Sequence, residues 1–144
     1  MPAKPHIMIV EARFYDDISD YLAQGAIAAL EAAGASYERF AVPGALEVPA
    51  AIKLGSQRKM PPFDAYVALG CVIRGETYHF EIVANESARG VSEVALEFGI
   101  PIGNGILTTN TDEQALMRCE QKGAEAVQAA LEVANLLEAI DADE

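Results

Sequence analysis

An α/β domain with a parallel sheet covered by helices on both faces is predicted by three features of the chain. Short apolar runs alternate with helix-period segments in the order βαβαβαβα. The apolar runs are continuous, as expected of strands buried on both faces. The length of 144 residues suits a single domain over residues 1–144, with no internal repeat or low-complexity segment.

His6 to Val10 is a short β-branched run and reads as the first buried strand. Ser19 to Ala33 follows with Leu22, Ala26, Ala29, Leu30 and Ala33 at helical spacing, Asp17 or Ser19 as N-cap and Gly34 as C-cap. Tyr37 to Val42 is the second strand. After the Pro43-Gly44 break, a short helix is expected over Val48 to Leu54, with Pro49 tolerated in its first turn. Gly55 to Pro62 is polar and then proline-rich, so it reads as a loop. Ala65 to Gly70 is the third strand. His79 to Phe98 is a helix with Phe80, Val83, Ser87, Val91, Val94 and Phe98 on one face, ended by Gly99. Ile102 to Leu107 is the fourth strand, with two glycines inside it. Thr108 to Thr111 caps a long helix from Asp112 to Ile140, with Leu116, Val127, Leu131, Ala134 and Leu137 as its apolar stripe.

Composition narrows the function. The chain is 51% hydrophobic and 22% charged, with a formal net charge of −12. That balance excludes a nucleic-acid binder or an anionic-membrane binder, because both need basic surface. It also means that a phosphorylated substrate must be held by local donors, since the global field repels it. Cys71 and Cys119 form no CxxC motif, and the N-terminal apolar run is too short for a signal segment or membrane span. A cytoplasmic location is therefore expected. No metal is expected, because His6 and His79 share no ligand spacing and the cysteines are isolated.

In open α/β sheets the ligand sits beyond the carboxyl ends of the strands. Four segments occupy those ends: Glu11 to Asp17, Pro43 to Glu47, Gly70 to His79, and Leu107 to Asp112. In the first, Phe14 and Tyr15 offer rings for stacking or for packing under a helix. In the second, a Pro-Gly turn brings backbone N–H groups outward, and Glu47 accepts hydrogen bonds or simply favours a helix start. In the third, Arg74-Gly75-Glu76-Thr77 before a helix start has the make-up of an anion site, and His79 stands beside it as a candidate for proton transfer. After the fourth strand, Arg118 lies two turns into the last helix as an anion ligand or an exposed arginine. Gly103-Asn104-Gly105 is no dinucleotide fingerprint, and no G-x-S-x-G elbow is present.

These ordered motifs resemble the lumazine synthase family. The resemblance runs over nearly the whole chain: Arg13-Phe14, Val42 to Pro49, Gly70 to His79, Asn85-Glu86, Gly105 to Thr109, Glu113 to Ala115, and Arg118. It implies flavodoxin-like topology with a four-stranded sheet in a three-layer α/β/α domain. It implies condensation of 5-amino-6-(ribitylamino)uracil with 3,4-dihydroxy-2-butanone 4-phosphate, with no cofactor. Phe14 would stack on the pyrimidine, and Cys71, Val72 and Ile73 would meet its edge. Ala45, Leu46 and Glu47 would hold the ribityl chain. Gly75, Glu76, Thr77 and Arg118 would bind phosphate, and His79 would transfer protons. Asn104 would line the site from a neighbouring subunit, and Lys122 matches a lysine near the site in the family. Tyr15 replaces a frequent asparagine. The short segment Arg118 to Gly123 lacks the glycine-containing residues that kink the last helix in sixty-subunit shells, which implies a free homopentamer with shared sites. Riboflavin synthase is the implied functional partner. A chain of this type that only sequesters a flavin is the competing reading, against which a phosphate-binding arginine speaks.

Overall fold

The computed structural model describes residues 4–142. Strands β1 (His6–Ala12), β2 (Ser36–Val42), β3 (Ala65–Ile73) and β4 (Ile102–Thr109) form one parallel sheet in the order β2-β1-β3-β4. Helices α1 (Asp16–Ala32), α2 (Val48–Ser56), α3 (His79–Phe98) and α4 (Asp112–Asp141) cover it, and a 3₁₀ turn at Ala45–Glu47 precedes α2. This is the three-layer, flavodoxin-like α/β/α arrangement expected. Among the described residues no helix is long and apolar enough to cross a membrane.

The side-chain period of two sends alternate residues of each strand to opposite faces. Ile7, Ile9, Val67 and Leu69 therefore pack with Leu22, Leu30 and Val127 under α1 and α4. Met8, Val10, Tyr66 and Ala68 pack with Val48, Ile52 and Val91 under α2 and α3. Each fully buried Ile, Leu or Val contributes about 1.5–3 kcal/mol relative to exposure.

Several boundaries differ from expectation. The first strand runs on through Glu11 and Ala12, because two arginines neutralise the buried Glu11. The third runs on through Cys71, Val72 and Ile73, and the fourth through Thr109, in one continuous ladder with Ile73 opposite Thr109. The second strand is an edge strand with no fully buried residue, half-buried at Ser36, Tyr37, Glu38 and Val42 and exposed at Arg39 to Ala41. Helix α1 starts at Asp16, so Asp17 and Ser19 lie inside its first turns and neither caps it. Tyr15 is the N-cap residue, without a side-chain bond, and the two aspartates sit at the positive end of the helix dipole. Ala33 is the C-cap, and Gly34 follows it with a φ of +72°, where a residue with a side chain would be strained. Thr111 alone caps α4, its hydroxyl accepting from the Gln114 N–H.

The buried face of α4 is the largest correction. Leu116 and Leu137 are exposed. The face is built from Ala115, Cys119, Gly123, Ala126, Val127, Ala130 and Ala134. The reason is backbone proximity. A Cβ on Gly103 would lie 1.8 Å from the Ala126 carbonyl oxygen, one on Gly123 would lie 2.1 Å from the Leu22 carbonyl oxygen, and one on Gly25 would lie 1.9 Å from that of Glu120. Helix α4 thus rests directly on β4 and on α1, which explains the glycine inside the fourth strand.

The opposite end of the sheet is tied by His6, Glu38 and Arg58. Arg58 and then His6 hold the Glu38 carboxyl down to about 2, and both His6 and the Arg58 guanidinium lie against the Phe63 ring.

Gly103→Ala must push α4 off the sheet. We predict a loss of about 3 kcal/mol or more, read as a lower urea midpoint. An unchanged midpoint would contradict this packing.

Candidate active site

The sheet order makes the crevice between β1 and β3 the point where the chain reverses its winding, the usual ligand position in such folds. An open cleft of about 370 Å³ lies there. Its walls are Phe14 and Tyr15 from the β1–α1 turn, Pro43 to Glu47 after β2, Cys71 to Ile73 at the end of β3, and Gly75, Thr77, His79, Phe80 and Val83 around the start of α3.

Each wall has a local cause. Phe14 is 72% exposed and meets Tyr15 edge-on at 5.0 Å, which leaves a ring face free on the cleft wall. Gly44 is extended, and its carbonyl accepts the Glu47 N–H at 3.2 Å to close the 3₁₀ turn. A Cβ on Gly44 would crowd the Glu47 carboxylate at 3.3 Å, so glycine leaves that carboxylate room. Gly90 of α3 admits the Pro49 ring, whose Cγ would be 2.7 Å from an added Cβ, and this draws the start of α2 against α3.

The β3–α3 segment is the anion-site candidate. Gly75 to Thr77 is irregular and exposed, and His79 is the first residue of α3. The Thr77 hydroxyl accepts the His79 N–H at 3.4 Å, which fixes the turn into the helix. Arg74 does not join the cleft wall. Its guanidinium donates to Asn110 and to Glu81 and lies 4.4 Å over the Phe80 ring. Its backbone N–H bonds the Thr109 carbonyl. Arg74 therefore braces Phe80 against the cleft and ties the ends of β3 and β4 together.

Cys71 and Cys119 are buried and unpaired. Burial pushes the Cys71 thiol up to about 12, with Cys119 and Asp112 nearby adding to the effect. Burial raises Cys119 as well. Neither is a thiolate nucleophile near neutral pH.

Most residues singled out from the sequence meet in this cleft: Phe14, Ala45, Leu46, Glu47, Cys71, Val72, Ile73, Gly75, Thr77 and His79. Three do not line it. Glu76 is exposed outside the wall. Asn104 is exposed on the edge strand β4, where its side-chain oxygen accepts the Ile106 N–H at 2.9 Å. Arg118 is exposed on α4, across the sheet from α3, and donates to the Gln114 carbonyl at 2.9 Å. The cleft has walls beyond these residues. Tyr15, Pro43 and Gly44 fall within strand-end segments, but Phe80 and Val83 read as core residues of a helix stripe. Their signal is the spacing 79, 80, 83, which puts them on one face with His79.

The family model for 6,7-dimethyl-8-ribityllumazine synthase matches residues 4–138. A 6,7-dimethyl-8-ribityllumazine synthase of Bartonella tribocorum is 56% identical over 135 residues, covering 91% of this chain and 89% of the relative. That of Sphingopyxis alaskensis is 56% identical, over 92% and 95% of the two chains, and that of Agrobacterium fabrum is 53% identical, over 93% and 95%.

In the folded protein at pH 8, we predict that neither cysteine reacts with a thiol reagent within minutes, and that both do after denaturation. Rapid labelling of Cys71 in the native state would contradict its burial and raised pKa.

Proposed function

The chain belongs to the 6,7-dimethyl-8-ribityllumazine synthase family, and on that premise we propose how its residues divide the work of the reaction. The enzyme condenses 5-amino-6-(ribitylamino)uracil with 3,4-dihydroxy-2-butanone 4-phosphate. It forms 6,7-dimethyl-8-ribityllumazine and releases phosphate and water, the penultimate step of riboflavin biosynthesis.

The pyrimidine stacks on the free face of Phe14, and its edge meets the end of β3 at Cys71, Val72 and Ile73. The backbone at Ala45 and Leu46 and the Glu47 carboxylate hold the ribityl hydroxyls, which suits a carboxylate as an acceptor. Gly75, Glu76 and Thr77 present the phosphate site at the start of α3, where backbone N–H groups and the helix dipole favour an anion. The net charge of −12 opposes that anion, so a cation is needed close by. Arg118 supplies it and Asn104 lines the pyrimidine side, both from a neighbouring copy. In support, each is exposed and lies off the cleft of its own chain. The working unit is a homopentamer in the cytoplasm, and its product passes to riboflavin synthase.

The chemistry asks for positioning and proton movement, not a protein nucleophile. The amine of the uracil attacks the ketone and one water leaves, phosphate is expelled by elimination, and the second amine closes the ring onto the remaining carbonyl with loss of a second water. Holding two substrates in register supplies up to about 7–11 kcal/mol. His79, on the cleft wall beside the phosphate segment, moves the protons. The buried, neutral Cys71 stays out of the covalent steps. One observation carries the reading: Phe14, Glu47, the β3 end, the phosphate segment and His79 share a single cleft.

The test is to mix the protein with both substrates and follow product absorbance. Product should form, and His79→Ala should be slower by about 10²–10⁴ while still turning over. Absence of product from the folded wild-type protein overturns the reading. A completely inert His79→Ala that still binds both substrates overturns the role given to His79.

A further inference from the structure

Glu11 is the only buried charged residue among those described, 3% exposed, and nothing in the reaction above uses it. It stands near the end of β1, three residues before Phe14. Isolating a carboxylate from water costs several kcal/mol unless it is paired in good geometry. Here the pairing is complete. Arg39 on β2 grips it through two bonds, Nε to Oε2 at 2.7 Å and Nη2 to Oε1 at 2.9 Å. Arg13 donates from Nη1 to Oε1 at 2.8 Å, and its other amino group bonds Asp20 on α1.

The arrangement reaches both walls of the cleft. Arg13 immediately precedes Phe14, in the turn of residues 13–15 between β1 and α1. Its guanidinium is fixed at one end by β1 and at the other by α1. Arg39 sits on the strand that leads into Pro43 to Glu47, the facing wall. The Arg13 N–H also points at the Val42 carbonyl, 3.4 Å away, just before that wall begins. A single carboxylate therefore links the turn that carries Phe14 to the strand that delivers the ribityl-side wall. Without its charge Arg39 loses the carboxylate it grips, and Arg13 keeps only its bond to Asp20.

We propose that Glu11 is a positioning residue that sets the aim of the Phe14 ring and its spacing from the Pro43–Glu47 wall. The inference rests on the reading that Phe14 stacks on the pyrimidine. Both guanidiniums are held above their ordinary range, Arg13 chiefly by Asp20 and Arg39 chiefly by Glu11.

The experiment uses Glu11→Gln in the assembled enzyme, with two readouts. The first is the KM for each substrate. A misaimed ring raises the KM for the uracil about tenfold and leaves that for the ketone phosphate within about twofold. A merely structural role lowers the melting temperature and the active fraction but changes neither KM. The second readout uses the absence of tryptophan from the chain. In a Phe14→Trp background, Glu11→Gln should lower the indole anisotropy, because the turn is no longer clamped. If Glu11→Gln does not fold, Arg13→Met removes the same clamp, leaves Glu11 paired with Arg39, and answers both readouts. Unchanged uracil KM and unchanged anisotropy overturn the proposal. Phe14→Ala separates the two ideas: if it leaves the uracil KM at the wild-type value, the stacking reading fails, and the anisotropy still reports whether Glu11 orders the turn.

Discussion

The close approach of backbone to backbone on one side of the sheet is the constraint on which the rest of this structure depends. Helix α4 touches β4 at Gly103 and α1 at Gly25 and Gly123, where no side chain fits. Everything on that side follows from these contacts. The buried face of α4 is made of alanine, glycine, cysteine and valine, since larger residues would lift it away. Leu116, Leu136 and Leu137 stand exposed, and Leu131 packs only partly buried against the core. A close-packed interior transmits strain and resists compression, so these contacts hold the strands and their ends in place.

Firm strand ends are what the cleft requires. Its residues come from three stretches of chain far apart in sequence, and a small error in any one of them would separate the Phe14 ring, the Glu47 carboxylate and His79. Two further ties act at the rim. Arg74 braces Phe80 and joins the ends of β3 and β4. Glu11 joins the Phe14 turn to β2 through Arg13 and Arg39. A reaction driven by holding two small molecules in register gains more from such rigidity than from a reactive side chain, in keeping with a Cys71 thiol kept neutral by burial.

The order of elements was legible from the sequence because continuous apolar runs and helix-period segments alternate with glycine and proline between them. The limits of that reading have physical reasons. Strand β1 extends past its apolar run because a carboxylate can be buried when arginines from other segments neutralise it, and pairing at a distance leaves no local signal. In the stripe expected for α4, Val127 and Ala134 are buried and Leu131 packs against the core, but Leu116 and Leu137 are exposed, because leucine is the usual mark of a buried helix face whereas a helix in backbone contact buries alanine and glycine. At the site, Phe14, Glu47 and His79 stood out as chemically distinctive residues at strand ends. Phe80 and Val83 did not, because an apolar side chain lining a cleft looks the same in sequence as one lining a core. The unusual pair of glycines in the fourth strand was visible, but only the position of Ala126 explains it.

We propose that the cleft of one chain is half a site, finished by Arg118 and Asn104 of a neighbouring copy. Subunit mixing tests it most directly. Phe14→Ala and Arg118→Ala proteins, each slow alone, are denatured together in equal amounts and refolded into mixed assemblies. If sites are shared, some interfaces pair an intact Phe14 cleft with an intact Arg118, and activity recovers to roughly a quarter of wild type by random assembly. If each chain carries its whole site, every site keeps one defect, and the mixture stays at the average of the two variants.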